Sequence, residues 1–189
     1  MRKQNPARKK NNNVLIGICG SIAAYKTCEL VRELVRRDIR VKCVLTESAE
    51  KFITPLTLQT LSADRVYRSM FDEEYSYDPG HLSLAGWADV IVISPATANT
   101  IARIASGFAD DLLTSVVLSA VCPVLICPAM NSNMWLNPVT QENVQTLIKR
   151  GYRFLGPEEG ALACRENGIG RLVPTGKITG RIISILAGK

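Results

Sequence analysis

Short, nearly unbroken apolar runs alternate along this chain with stretches in which apolar residues recur every three or four positions. Residues 14–19 (VLIGIC) form the first run and end in Gly20-Ser21, as a strand entering a turn would. Beyond it Cys28, Val31, Leu34 and Val35 share one helical face, with Glu29, Arg32, Glu33 and Arg36 on the other. Residues 41–45 predict a second strand, followed by a short helix to Phe52 and a new helix start at Thr54-Pro55. Residues 62–80 are irregular, acidic and aromatic. Residues 88–93 are almost continuously apolar, as expected of a parallel strand with helices over both faces. Helical spacing returns over 98–106 and 110–121, and 124–127 gives another buried strand. A helix runs from Pro138 to Arg150, a last strand covers 152–155, and a helix spans 175–186 after a Gly-bearing loop over 156–170.

Strands alternating with helices in this way predict a three-layer α/β fold with a doubly wound parallel sheet, of the Rossmann or flavodoxin-like kind. Ligands of such sheets bind outside the carboxyl ends of the strands. Every unusual polar segment here follows a strand, so the candidate chemistry converges on one edge.

Length and charge narrow this picture. A chain of 189 residues suits one domain, with about 70% of its unfolded surface buried. The net charge of +6 invites a nucleic-acid reading, but Arg2, Lys3, Arg8, Lys9 and Lys10 crowd into the first thirteen residues, which hold no acid. The remaining eighteen basic residues face seventeen acidic ones, so the domain over 14–189 is nearly neutral and offers no basic face for nucleic acid. Residues 1–13 read as a solvated basic tail without the apolar core of a secretory signal.

No charged residue lies between Asp111 and Glu142, yet Pro123, Pro128 and Pro138 divide that stretch into pieces far below the ~20 residues of a membrane span. It predicts buried core. Six cysteines without a CxxC pair, and a single histidine, argue for reduced thiols in the cytoplasm and against a metal site. Five of the cysteines lie in or beside apolar segments; Cys164 does not.

Three segments carry candidate chemistry. Gly20-Ser21-Ile22 would expose backbone N–H groups at a helix start, and Thr46-Glu47-Ser48 after the second strand adds hydroxyls; together they suit a mononucleotide phosphate. In Ser94-Pro95-Ala96-Thr97-Ala98-Asn99-Thr100 small residues allow a flat ring to approach the backbone, and Thr97, Asn99 and Thr100 offer edge hydrogen bonds. In the segment 127–135 (CPAMNSNMW), Asn131 stands just past a strand and can present its amide to a carboxylate. Each of these reads equally as helix capping or a turn. His81 is the one side chain that titrates near neutrality, and Cys164 beside Arg165 sits in a loop of the length that lids have.

The pieces GSIAAYK (20–26), TES (46–48), HLSLAGWADVIVISPATANTIARIASGFADDLLT (81–114), PAMNSNMW (128–135) and LACRENGIGRL (162–172) strongly resemble, in order, the homo-oligomeric flavin-containing cysteine decarboxylases. The branch they resemble most acts on phosphopantothenoylcysteine in coenzyme A biosynthesis. That resemblance implies FMN bound by Gly20, Ser21, Ile22, Thr46, Ser48, Thr97, Ala98, Asn99, Thr100 and Ala129. It implies a substrate carboxylate on Asn131, substrate contacts from Met130, Ala161, Leu162 and Ala163, His81 as base, and Cys164 as proton donor in a clamp over 156–170. No metal is implied.

The reaction implied is decarboxylation of 4′-phosphopantothenoylcysteine to 4′-phosphopantetheine. FMN oxidises the cysteinyl thiol to a thioaldehyde, the thioaldehyde gives CO2 loss an electron sink, and the resulting enethiol is reduced by FMNH2 with a proton from Cys164. The family assembles as trimers or multiples of trimers, with active sites at subunit contacts, which would account for the aromatic stretch 67–77. Many bacterial relatives are fused to a phosphopantothenate–cysteine ligase, so such a ligase is an expected partner. One departure stands out: the family's clamp reads Ala-Cys-Gly, whereas Arg165 follows Cys164 here and could reach the substrate's phosphate. A lantibiotic-type peptidyl-cysteine decarboxylase, a flavin prenyltransferase and a non-catalytic regulatory flavoprotein are the rival readings. Cys164 speaks against the first, PAMNSNMW against the second, and the lack of a long acidic extension against the third.

Overall fold

The computed structural model describes residues 12–71, 80–163 and 166–188. Six parallel strands form one sheet in the order β3-β2-β1-β4-β5-β6. They are β1 (Asn13–Ile18), β2 (Arg40–Leu45), β3 (Val66–Tyr67), β4 (Val90–Ala96), β5 (Val124–Pro128) and β6 (Arg153–Phe154). The helices are α1 (Ala24–Val35), α2 (Pro55–Ser62), α3 (Gly80–Trp87), α4 (Ala98–Ala105), α5 (Leu112–Leu118), α6 (Ser132–Leu136), α7 (Pro138–Lys149) and α8 (Thr175–Leu186), with a 3-10 turn at Ala49–Lys51. Winding reverses between β1 and β4, the place where such sheets open a crevice.

The two-residue period of a strand sorts the core onto two faces. Val14, Ile16, Ile18, Val90, Val92, Leu125 and Cys127 meet Leu30, Val31 and Leu34 of α1, Leu58 of α2 and Ile178, Ile182 and Ile185 of α8. Leu15, Ile91, Ile93, Val124 and Ile126 meet Leu84 of α3, Ile101 and Ile104 of α4, Leu113 and Val116 of α5, and Leu147 of α7. Both faces are covered, which explains why β1, β4 and β5 read as continuous apolar runs: every residue in them is buried. The three-layer expectation is thereby met.

Two segments differ from the sequence reading. Within 62–80 the chain adds the short edge strand β3, and the stretch from Gly80, in which His81 reads as a loop residue, opens helix α3. Gly80 and Gly86 lower its helix propensity, and with only Leu84 and Ala85 buried it lacks a clear apolar stripe. The loop over 156–170 is largely an antiparallel hairpin, β7 (Glu158–Ala161) with β8 (Asn167–Arg171). Its three glycines replace the alternating side chains that mark a strand.

Among the described residues no helix is long and apolar enough to cross a membrane, and no cluster of three or more His, Cys, Asp or Glu could hold a metal ion. Cys19, Cys43 and Cys127 are buried, and Cys28 and Cys122 partly so. Cys164, Arg165, the acidic stretch 72–79 and the tail over 1–11 lie outside the described residues.

Candidate functional site

Four turns leave the carboxyl ends of β1, β2, β4 and β5, and packing presses them together. At Gly20 an added Cβ would stand 2.5 Å from the Cβ of Ser48, so the first turn touches the second only because it has no side chain there. Cys19 N–H donates to the Pro95 carbonyl (3.3 Å), tying the first turn to β4, and Ala129 N–H donates to the Ala96 carbonyl (3.0 Å), tying β4 to the turn after β5.

The polar atoms are partly committed. Thr46 Oγ1 donates to the Ile18 carbonyl and accepts from Ala49 N–H. Thr97 is the N-cap of α4: its hydroxyl accepts from Thr100 N–H at 3.2 Å and shares a hydrogen bond with Thr100 Oγ1 at 3.1 Å. These hydroxyls therefore do what the capping reading required of them. The N–H groups of Ala98 and Asn99, which have no acceptor within the helix, remain available to an anion. Ser48 begins the 3-10 turn without a capping hydrogen bond from its side chain, leaving its hydroxyl as a donor.

Two cavities open where these turns meet. The larger, about 770 Å³, is lined by Gly20, Thr46, Ser48, Thr97, Asn99 and Thr100 among others. The smaller, about 500 Å³, is lined by Ser21, Ile22, Ala129, Met130, Asn131 and Ala161–Ala163 among others. The single binding edge expected from sequence is thus divided at the 20–22 turn, Gly20 facing one side and Ser21 with Ile22 the other. Ala98 lines neither cavity and contributes through its backbone alone. His81, half-buried in the first turn of α3, lines neither as well.

Both arginines that line the larger cavity are paired. Arg68 grips Glu50 through Nε and Nη2 at 2.7 and 2.8 Å, and this holds the Glu50 carboxyl below the usual carboxylate range. Arg103 Nη1 donates to Asp111 at 2.7 Å while Nη2 holds Asp110. Asp111 in turn forms a capping box with Thr114, which fixes the start of α5 at the cavity wall. Burial pushes the Cys19 thiol up to about 11 despite hydrogen bonds from Thr100 and Thr97, so at neutral pH it is an inert packing group.

Above the smaller cavity the hairpin is seated by glycines. A Cβ at Gly170 would collide with the Met130 carbonyl, and one at Gly168 with the Ser132 hydroxyl. Met130 N–H donates to the Gly170 carbonyl at 3.0 Å, joining β8 to the turn after β5. Leu162, which lines the cavity, donates its N–H to the Glu166 carbonyl at 2.9 Å and so continues the pairing of the two hairpin arms. Beneath it, Asn131 caps α6, its Oδ1 accepting from Asn133 N–H at 2.8 Å. The carboxamide is thereby oriented with its oxygen toward the helix and its NH2 as the donor end, the arrangement a carboxylate requires.

Tyr25, Lys26, Met134 and Arg171 also line these cavities and were not singled out by the sequence reading. Lys26 and Arg171 do fall inside the GSIAAYK and LACRENGIGRL motifs, but only the fold turns them toward a common space.

These residues suit a group with a phosphate at one end and a flat ring at the other. Backbone N–H groups and hydroxyls converge at Gly20, Ser48 and α4 in the larger cavity, and Ala129 adds little bulk to the lining of the smaller.

Comparison with known proteins agrees with this geometry. A family model described as Flavoprotein matches residues 2–187. The chain is 49% identical over 170 residues to the coenzyme A biosynthesis bifunctional protein CoaBC of Vibrio cholerae, covering 90% of this chain and 42% of that protein. To the CoaBC protein of Bacillus subtilis it is 46% identical over 162 residues, covering 86% and 40%. It therefore spans about two fifths of the length of these relatives. Among solved structures, a PPC decarboxylase variant in complex with pantothenoylaminoethenethiol superposes with a TM-score of 0.84 at 31% identity, over 93% of this chain and 98% of that one. The FMN-dependent cysteine decarboxylase SpaF superposes with a TM-score of 0.78 at 32% identity, over 92% and 96%.

Proposed function

Because the chain belongs to the flavoprotein family, we propose that it is an FMN-dependent carboxy-lyase that converts 4′-phosphopantothenoylcysteine to 4′-phosphopantetheine in coenzyme A biosynthesis. The observation that carries this reading is the smaller cavity: Asn131 and the hairpin residues Ala161–Ala163 line one space, walled by the same turn that lines the larger cavity. The higher identity to the coenzyme A proteins than to SpaF favours this substrate over a peptide C-terminus.

FMN would be held by Gly20, Thr46, Ser48, Thr97, Thr100 and the free N–H groups of Ala98 and Asn99 on one side of the turn, and by Ser21, Ile22 and Ala129 on the other. Bound there, it supplies reversible two-electron oxidation of the substrate's thiol. The chain's own residues bind, orient and move protons. The Asn131 amide donates to the substrate carboxylate and holds the reacting carbon against the cavity wall. Met130, Ala161, Leu162 and Ala163 exclude water around it. His81 accepts the proton that leaves the substrate during oxidation. Cys164 returns a proton to carbon after CO2 has left.

His81 reaches the substrate of a neighbouring copy in this reading, and the enzyme works in the cytoplasm as a homo-oligomer, a trimer or a multiple of one. A phosphopantothenate–cysteine ligase, fused or separate, would supply the substrate. Anaerobic incubation of the yellow holoprotein with 4′-phosphopantothenoylcysteine tests the whole reading. Equal yields of CO2 and 4′-phosphopantetheine are expected; a flavin-loaded protein that releases neither would overturn it.

A further inference from the structure

We propose that Arg171 and Lys26 form the subsite for the phosphomonoester end of the substrate, and so set the preference for phosphorylated over unphosphorylated pantothenoylcysteine; this rests on the decarboxylase reading above. The two cavities differ in their ionisable lining. In the larger, Arg68 and Arg103 face Glu47, Glu50, Asp110 and Asp111, and both arginines are gripped by carboxylates. In the smaller, the charged side chains among the described residues are Lys26 and Arg171, and no described carboxylate lines it. The backbone donors of the larger cavity are assigned to the cofactor's phosphate and its two arginines are already held by carboxylates, so the cations left for a second phosphate are the two of the smaller cavity.

Arg171 is built into place. Gly160 has φ +152°, and a Cβ there would lie 2.8 Å from Cζ and Nη1 of Arg171, so the guanidinium rests where a side chain at position 160 would otherwise be. Glu158 reaches its Nη2 at 3.5 Å through one oxygen, while its other oxygen holds Lys177 at 2.5 Å. One end of the guanidinium is restrained, and the rest of its planar donor set is left for an oxyanion, which a fork of parallel N–H groups fits well. Lys26 lies in the first turn of α1, where the helix dipole also favours negative charge. Among the described residues its ammonium has the Tyr25 ring at 6.0 Å and no carboxylate partner. Asn131 lines the same cavity, so the two acidic ends of the substrate meet chemically distinct receptors: a neutral amide for the carboxylate and a pair of cations for the phosphate.

The test compares kcat/KM for 4′-phosphopantothenoylcysteine and for pantothenoylcysteine in holoenzymes with matched flavin content. In Arg171→Ala and in Lys26→Gln the ratio of the two values falls by roughly tenfold, the size expected for losing a charge-assisted contact. Gly160→Ala lowers the same ratio while keeping every charge, which identifies it as a positioning residue, and Arg171→Lys restores part of the loss. A ratio equal to wild type in both charge variants overturns the subsite. If Arg171→Ala fails to fold, Lys26→Gln decides alone. If wild type turns over neither compound, the decarboxylase reading fails separately, and calorimetric titration with 4′-phosphopantetheine against pantetheine still decides the subsite. Equal affinities for those two in wild type would refute it.

Discussion

Gly20 and Ser48 share a space that holds only one side chain: a Cβ on the glycine would lie 2.5 Å from the Cβ of the serine. Two turns from different strands therefore meet at backbone distance, and the wall of the larger cavity is their joint surface. Gly20→Ala forces the Ser48 turn outward and costs about 1–3 kcal/mol, as overpacking of a close contact does. The expected result is a folded protein that retains far less flavin, at least several-fold by the ratio of absorbance at 450 and 280 nm. Normal flavin content in that variant would refute the assignment of this wall to the cofactor.

Gly170 plays the corresponding part for the hairpin. It has φ +146°, and a side chain there would enter the Met130 carbonyl. Gly170→Ala should break the bond from Met130 N–H and lift β8 from the turn after β5. With a cost of about 1–3 kcal/mol and about 2–4 °C per kcal/mol, the melting temperature falls by several degrees. Limited proteolysis should cut first within 158–171. Melting and cleavage patterns identical to wild type would show that the hairpin is not seated in this way.

Three cysteines serve as internal markers of the sheet. Burial raises the thiols of Cys19, Cys43 and Cys127, Cys19 to about 11 from an ordinary 9.0. A group whose folded pKa is raised stabilises the protein fully below its unfolded pKa. That contribution is lost as pH climbs through the folded value, because the unfolded chain ionises first. Cys19 alone should cost on the order of 2–3 kcal/mol between about pH 9 and 11, and Cys43 and Cys127, whose unfolded thiols ionise over the same range, add losses that begin there and continue at higher pH. Denaturant unfolding at pH 8, 9, 10 and 11 checks this; stability constant over that range would contradict it. Thiol labelling of the native protein at pH 8 should likewise spare all three.

Cys164 has a distinct signature. Cys164→Ser should keep flavin and release CO2 yet accumulate the enethiol, since the final proton donor is gone. Normal yield of 4′-phosphopantetheine from that variant would remove the cysteine from the mechanism. The structural neighbour solved with pantothenoylaminoethenethiol shows that a site of this fold can hold such a species.

The limits of sequence reasoning here are physical. The strands β1, β4 and β5 were legible because both faces are covered, and α4 because Ile101 and Ile104 recur on one side of it. The turns after β1, β2, β4 and β5 were legible as polar interruptions. Helix α3 was not, for its glycines and weak apolar stripe hide it, and the hairpin was not, for glycine carries no alternation. The division of the site into two cavities depends on which way each residue of one tight turn faces, which no periodicity encodes. Arg171 needed the fold most of all, because its neighbour Gly160 lies eleven positions away and matters by what it lacks.

His81 and Asn131 give the sharpest test of assembly. Asn131 lines the smaller cavity, whereas His81, at the start of α3, lines neither cavity of its own chain. In the reading proposed above, the two act on one substrate from different copies. His81→Asn and Asn131→Asp should each retain flavin and each lose decarboxylation by at least about a hundredfold, the low end of what a general base contributes. The Asn131→Asp change adds carboxylate repulsion to the loss of a donor. Mixing the two inactive proteins under conditions that exchange subunits should then recover a fraction of wild-type activity, because some contacts pair an intact His81 with an intact Asn131. Mixtures that stay inactive although subunit exchange is confirmed by native mass spectrometry would place both residues within one chain's site, or outside the chemistry.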